Sequence, residues 1–248
     1  MSDLPTGVVT FLFTDIEGST RLWEQYPYAM PAALARHDSI LGQAIAKHDG
    51  VVFRTVGDAF FAAFDQALAA VLAALQAQRA LYAEPWDTID AMRVRMAIHT
   101  NSVDLRDDGY FGPPLNRVAR LLAAAHGGQT LICRATQEQV RDRLPAGAAL
   151  CDLGEHQLRD LTQPEQIYQL VAEGLPCDFP PLKTLTTQAA KQAAQMATET
   201  SEAYITRQHK LPGMPSIDFD AVRKKERERQ HKTRKTRKGK AKNSGELF

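Results

Sequence analysis

Phe11-Leu-Phe-Thr-Asp15-Ile16-Glu17-Gly18-Ser19-Thr20 is the first stretch of this sequence with residue types suited to chemistry. Asp15 ends a run of β-branched and aromatic residues, and a small-residue turn leading into a helix follows it. A carboxylate placed there can bind a cation, while the backbone N–H groups of Gly18, Ser19 and Thr20 can face phosphate oxygens. Arg54-Thr-Val-Gly57-Asp58 puts a second carboxylate at the tip of a hairpin. If the two strands are neighbours, Asp15 and Asp58 offer hard oxygen ligands to one pair of Mg2+ or Mn2+ ions. Taken singly, each aspartate is more simply a turn residue, because Asp serves turns well. In Tyr110-Phe-Gly-Pro-Pro-Leu-Asn116-Arg117-Val-Ala-Arg120, Asn116 and Arg120 are spaced to share one helix face. An amide and a guanidinium on one face can hold the oxygens of a transferring phosphoryl group. Alone, an arginine on an exposed helix is usually a solvated side chain.

The elements that must carry these groups are legible in outline. Gly7–Thr14 reads as a central strand, Pro31–Lys47 as a helix with Leu34, Ile40, Leu41 and Ile45 apolar, and Asp49-Gly50 as a turn. Val51–Arg54 and Ala59–Phe64 read as the hairpin around Gly57-Asp58, and Gln66–Tyr82 as a long alanine-rich helix. Met92–His99 alternates with period two, and Asp104–Gly109 is polar and turn-like. A helix is expected from Gly112-Pro-Pro through Ala125, ended by Gly127-Gly128. A strand at Gln129–Cys133, a short helix at Ala135–Arg143 and strands at Ala149–Leu153 and Gln166–Val171 complete the series. Strands alternating with helices, with one hairpin among them, imply an α/β sandwich on a mixed sheet.

With 248 residues, the chain has room for one domain with a sizeable core plus an appendage. Cys133, Cys151 and Cys177 fit no metal or redox spacing, which points to reduced thiols in a cytoplasm and away from a disulfide scaffold. Met1–Pro5 lacks the basic and apolar stretches of a secretory signal. The weakly polar run Ala67–Ala83 is broken by Gln76, Gln78 and Arg79, so it reads as a buried or interfacial helix and not as a membrane span. Arg223–Lys242 carries a local charge of +10, leaving −9 on the rest of a chain whose net charge is +1. The expected organisation is a domain over 1–174, a linker with a helix over 175–219, and a basic, disordered tail over 220–248. The tail suits either electrostatic contact with nucleic acid or an anionic membrane, or simple solvation.

Taken together, Phe13-Thr-Asp-Ile-Glu-Gly-Ser-Thr-Arg-Leu22, Thr55-Val-Gly-Asp58 and Tyr110-Phe-Gly-Pro113 with Asn116 and Arg120 resemble the class III adenylate/guanylate cyclase catalytic domain. His126-Gly-Gly-Gln129 and Leu153-Gly-Glu-His-Gln-Leu-Arg-Asp-Leu161 look like later segments of the same family. The resemblance implies a ferredoxin-like βαββαβ core and a head-to-tail homodimer with its sites at the interface. It further implies that Asp15 and Asp58, with the carbonyl of Ile16, hold two Mg2+ or Mn2+ ions. Asn116 and Arg120 match the pair that orients the ribose and stabilises the transition state. The implied activity is conversion of a nucleoside triphosphate, most readily ATP, to a 3′,5′-cyclic nucleotide and pyrophosphate in cyclic-nucleotide signalling.

Two base-reading positions depart from the family pattern. Arg54 stands where the family has lysine, and Gly109, with Asp108 beside it, stands where it has aspartate or threonine. Arginine still donates hydrogen bonds, but its planar fork is larger and differently set. Asn101 stands where glycine is expected, a departure of little cost because asparagine tolerates the left-handed conformation better than most residues. The alternative reading is therefore a degenerate cyclase-like domain that binds nucleotide or dimerises without turnover.

Overall fold

The computed structural model describes residues 4–103, 105–106 and 109–187. The chain runs β1 (Gly7–Ile16), α1 (Ser19–Gln25), α2 (Met30–Lys47), β2 (Val51–Val56), β3 (Ala59–Phe64), α3 (Ala67–Ala83) and β4 (Val94–Val103). It continues through β5 (Leu105–Arg106), β6 (Gly109–Tyr110), α4 (Pro113–Ala124), β7 (Thr130–Cys133), α5 (Arg134–Val140), β8 (Ala148–His156) and β9 (Glu165–Ala172). Seven strands form one sheet in the order β2-β3-β1-β4-β7-β9-β8. Its first four are mutually antiparallel and, with α2 and α3, make the ferredoxin-like unit. The β4–β7 pair is parallel, so the sheet is mixed, as the element order implied.

β1 is an interior strand, and both its faces are apolar. Leu12 and Ile16 pack with α2 and α3 through Leu41, Ile45, Val71 and Leu75. Val9, Phe11 and Phe13 point to the opposite face, where α4 covers them with Val118, Leu121 and Leu122. Period two along the strand thus sorts side chains into two cores, and Asp15 follows Phe13 onto the α4 face. β4 pairs with β1 along its whole length, from Gly7↔Val103 to Ile16↔Val94, and this register sets Arg95 directly opposite Asp15.

Local chemistry ends the elements where expected. Gly57 takes φ 59° in the β2–β3 loop, the first central position of a two-residue hairpin loop that favours glycine. Gly112 caps α4 at φ 97°, with Pro113 opening the helix. Two expectations are corrected. The stretch taken as a polar turn, Asp104–Gly109, contains a small hairpin in which β5 pairs with β6. Asn101 lies within β4, paired with Val9, and is not among the positive-φ residues, because the full-length β1–β4 ladder holds it extended. The basic stretch 220–248 and the expected helix beyond Thr187 lie outside the described residues.

Candidate active site

Asp58 does more than end a hairpin. Its carboxylate accepts the backbone N–H of Ile16 at 3.0 Å and the Ser19 hydroxyl at 3.3 Å. The β2–β3 tip is therefore docked on the loop that leaves β1, and two carboxylates 43 positions apart in the chain flank one short loop. Gly18 makes this turn possible at φ 70°, a conformation that side chains disfavour, and α1 starts directly after it. Ser19 and Thr20 open α1, so Gly18, Ser19 and Thr20 occupy the expected turn into a helix.

Asp15 has a partner that the sequence did not disclose. Arg95 Nε donates to Asp15 Oδ2 at 2.8 Å, and a second guanidinium N–H reaches the same oxygen. The two side chains are 23% and 27% exposed, so the pair sits at the mouth of the fold and neither in bulk water nor in the core. The only signal available beforehand was the polar side of the alternating stretch Arg93, Arg95, Ala97. That signal identifies a face and not the strand opposite it.

Glu17, the next residue after Ile16, is also tied down. Its Oε1 accepts Lys183 Nζ at 2.6 Å and its Oε2 accepts the Gly127 N–H at 3.1 Å. Burial pushes its carboxyl up, but the Lys183 ammonium and the Gly127 N–H outweigh this and hold it below the ordinary value.

Arg54 is exposed on β2, opposite Phe61, and the register shift at Val52/Arg54 turns Phe53 into the aromatic cluster. Phe53 meets Tyr110 edge-on at 4.9 Å between ring centroids, which brings the segments bearing Arg54 and Gly109 together. A Cβ at Gly109 would lie 3.4 Å from the Phe111 ring, so the position is compact but not closed. Asp108 lies outside the described residues.

Asn116 and Arg120 share the exposed side of α4. Among the described residues, no hydrogen bond joins either to Asp15 or Asp58. Arg120 instead pairs with Asp160 at 2.7 Å, a surface contact of little energetic weight. One chain thus brings the two carboxylates to one loop and leaves the amide–guanidinium pair unbonded to them among the described residues.

The donor set at the β1 loop fits hard divalent cations. It comprises Asp15 near the end of β1, Asp58 at the adjoining hairpin tip, and the backbone carbonyl of Ile16. Among the described residues there is no group of three or more His, Cys, Asp or Glu side chains that would enclose a metal. A cation held here therefore needs oxygens from a ligand or water, as Mg2+ ordinarily does.

Residues 2–172 match the model of the adenylate and guanylate cyclase catalytic domain. An uncharacterised protein of Mycobacterium tuberculosis is 46% identical over 182 residues, covering 73% of this chain and 61% of that protein. The chain thus spans about three fifths of the length of this curated relative. A receptor-type adenylate cyclase of Trypanosoma brucei brucei is 30% identical over 210 residues, covering 68% of this chain and 17% of that protein. A solved Trypanosoma brucei adenylate cyclase, described in its monomeric state, superposes with a TM-score of 0.67 at 28% identity, covering 75% of this chain and 97% of that one. With the family model matched across the whole sheet and its helices, this chain belongs to the adenylate and guanylate cyclase catalytic domain family.

Proposed function

We propose that this chain is a nucleotide cyclase that converts a nucleoside triphosphate, most readily ATP, to the 3′,5′-cyclic nucleotide and pyrophosphate. The observation that carries the reading is the docking of Asp58 on the Ile16 N–H and the Ser19 hydroxyl, beside Asp15. This contact supports the reading of Asp15 and Asp58 as one metal-binding pair.

Asp15, Asp58 and the Ile16 carbonyl would hold two Mg2+ or Mn2+ ions. When bound, such ions acidify the ribose 3′-hydroxyl and hold the triphosphate. The backbone N–H groups of Gly18, Ser19 and Thr20 face the phosphate oxygens. The 3′-oxygen forms its bond to the α-phosphorus as the bond to the pyrophosphate oxygen breaks. The hydroxyl proton passes to solvent. Asn116 orients the ribose and Arg120 neutralises the charge growing on the α-phosphate. As the family resemblance implies, these two serve the site of a partner copy. A homodimer then has two equivalent sites. Exposed Val56 and Phe111, at 60% and 58%, give such an interface apolar surface near the β2–β3 tip and the start of α4. Arg54 donates to the base, at adenine N1 or guanine O6. Gly109 supplies no side-chain acceptor for adenine's amino group, so base selectivity is relaxed unless Asp108 or a backbone carbonyl serves.

The domain occupies 1–174 in this reading, and the basic stretch 220–248 is a candidate contact for nucleic acid or anionic membranes. Cys133, Cys151 and Cys177 are all free thiols, which suits the cytoplasm. No helix among the described residues is long and apolar enough to cross a membrane. The second reading, a nucleotide-binding or dimerising domain without turnover, is favoured by one feature, the missing side-chain acceptor at Gly109.

The test is product formation by the purified protein with Mn2+ and each of ATP, GTP, CTP and UTP, beside Asp58→Asn. Asparagine keeps an oxygen for the Ile16 N–H while removing the charge. Cyclic product that disappears in Asp58→Asn supports the cyclase. No cyclic product from any nucleotide, in a folded dimer, refutes it in favour of the second reading.

A further inference from the structure

The segment following β9 returns over the domain, and we propose that Lys183 and Glu17 are positioning residues through which this segment straps the metal-binding loop to α4. The proposal rests on the site reading above. Leu182 buries its side chain in the core on the α4 side, and Thr184 is buried with its hydroxyl 3.2 Å from His156 Nδ1. Lys183, between them, makes two contacts of different kinds. Its Nζ donates to Glu17 Oε1 at 2.6 Å, and its backbone N–H donates to the carbonyl of Ala124, the last residue of α4, at 3.0 Å. A single residue thus touches Glu17, which directly follows the β1 end bearing Asp15 and Ile16, and the helix that carries Asn116 and Arg120.

Glu17 has little freedom to move without its neighbours. Its backbone N–H donates to Arg93 O at 2.9 Å, and both carboxylate oxygens are engaged, by Lys183 and by the Gly127 N–H. Gly127 has no room for a side chain, since a Cβ there would stand 2.9 Å from Glu17 Oε2. Ile16, bonded directly to Glu17, donates the N–H that holds Asp58. A displacement of Glu17 is therefore passed to Asp58 through one hydrogen bond and to Asp15 through the chain. On its far side the strap is anchored independently, by Leu185 N–H to Gln157 O at 3.2 Å. Loss of Lys183 alone should free the loop end of the strap and not the whole segment.

Positioning and simple electrostatics predict opposite signs. An ammonium beside the loop repels a divalent cation, so on electrostatics alone its removal tightens metal binding. If Lys183 positions the loop, its removal weakens metal binding. The experiment compares the full chain with Lys183→Met and Lys183→Arg, without nucleotide. Mn2+ affinity is read by electron paramagnetic resonance, and amide hydrogen exchange is read over the Asp15–Ser19 and Ala124–Gly128 segments. Lys183→Met should weaken Mn2+ binding roughly two- to fivefold, the range an exposed ion pair supports, and speed exchange in both segments. Lys183→Arg should restore both. Mn2+ affinity equal to or tighter than that of the unaltered chain in Lys183→Met overturns the proposal. If the unaltered chain binds no Mn2+, the metal-site reading fails by itself. The exchange data then decide the strap, with unchanged protection in Lys183→Met overturning it and faster exchange supporting it.

Discussion

Replacing Arg95 with methionine should tighten Mn2+ binding in the absence of nucleotide. Arg95 donates twice to one oxygen of Asp15, and a cation approaching that carboxylate must compete with a charge already in place. The gross attraction of unit charges about 4 Å apart at an effective dielectric of about 20 is ~4 kcal/mol. Both side chains are about a quarter exposed, at 27% and 23%, so desolvation and ordering leave a smaller net value. For a pair at this depth that value is about 1 kcal/mol, equivalent to roughly fivefold in an equilibrium constant. Relief of direct repulsion between guanidinium and Mn2+ acts in the same direction, so the expected gain is about five- to tenfold. Methionine keeps the apolar stem of the side chain and removes the charge. The assay is calorimetric titration of Mn2+ into the nucleotide-free protein, with Asp58→Asn as the control for binding elsewhere. The gain should shrink as salt rises, because the site is partly open to solvent. Unchanged or weaker Mn2+ binding in a folded Arg95→Met protein would refute the competition argument.

Stability should fall as pH drops through the histidine range, with His99 as a main contributor. Burial, and secondarily the Arg117 charge, push its pKa from the ordinary 6.5 down to about 4. A depressed histidine pKa means that the unfolded chain binds the proton more readily, so this contribution is full above about pH 6.5 and is lost as pH falls towards 4. The span corresponds to at most about 3 kcal/mol, and urea midpoints compared at pH 7.5 and pH 5 for the unaltered protein and His99→Gln would reveal it. An identical pH dependence in His99→Gln would show that other groups carry the effect. Gly127→Ala places a Cβ 2.7 Å from the Cβ of Arg93 and 2.9 Å from Glu17 Oε2, so it should destabilise the fold by roughly 1–3 kcal/mol, as overpacking does. A thermal midpoint equal to that of the unaltered protein would show that the loop yields freely.

Different parts of the site were legible to different degrees. Asp15 and Asp58 announced themselves because each follows a strand and sits in turn chemistry, which is local information. Asn116 and Arg120 were legible as a helix pair for the same reason, and Gly112 with Pro113 marked the helix start. Arg95 was visible only as the polar side of an alternating strand. Its pairing with Asp15 depends on the β1–β4 register, which joins residues 80 positions apart. Lys183 was read as part of a linker, yet it closes on Glu17 across 166 positions. The polar run Asp104–Gly109 gave a turn reading because its short strands are too brief for periodicity to register. At Asn101 the sequence suggested a place for glycine, whereas the ladder with β1 keeps the residue extended, so no left-handed tolerance is called on.

By itself, the sequence determined what is local or periodic: the strands and helices, the turns bearing the aspartates, the helix face shared by Asn116 and Arg120, and, by its motifs in order, the family. Tertiary structure decided adjacency. It set Asp58 on the Ile16 N–H, Arg95 against Asp15, Lys183 between Glu17 and α4, and Arg120 on Asp160. The physical reason is that a strand's alternation specifies which side chains share a face but not which strand lies beside it. That choice belongs to the packing of two cores on opposite faces of one sheet and to the register that buries both.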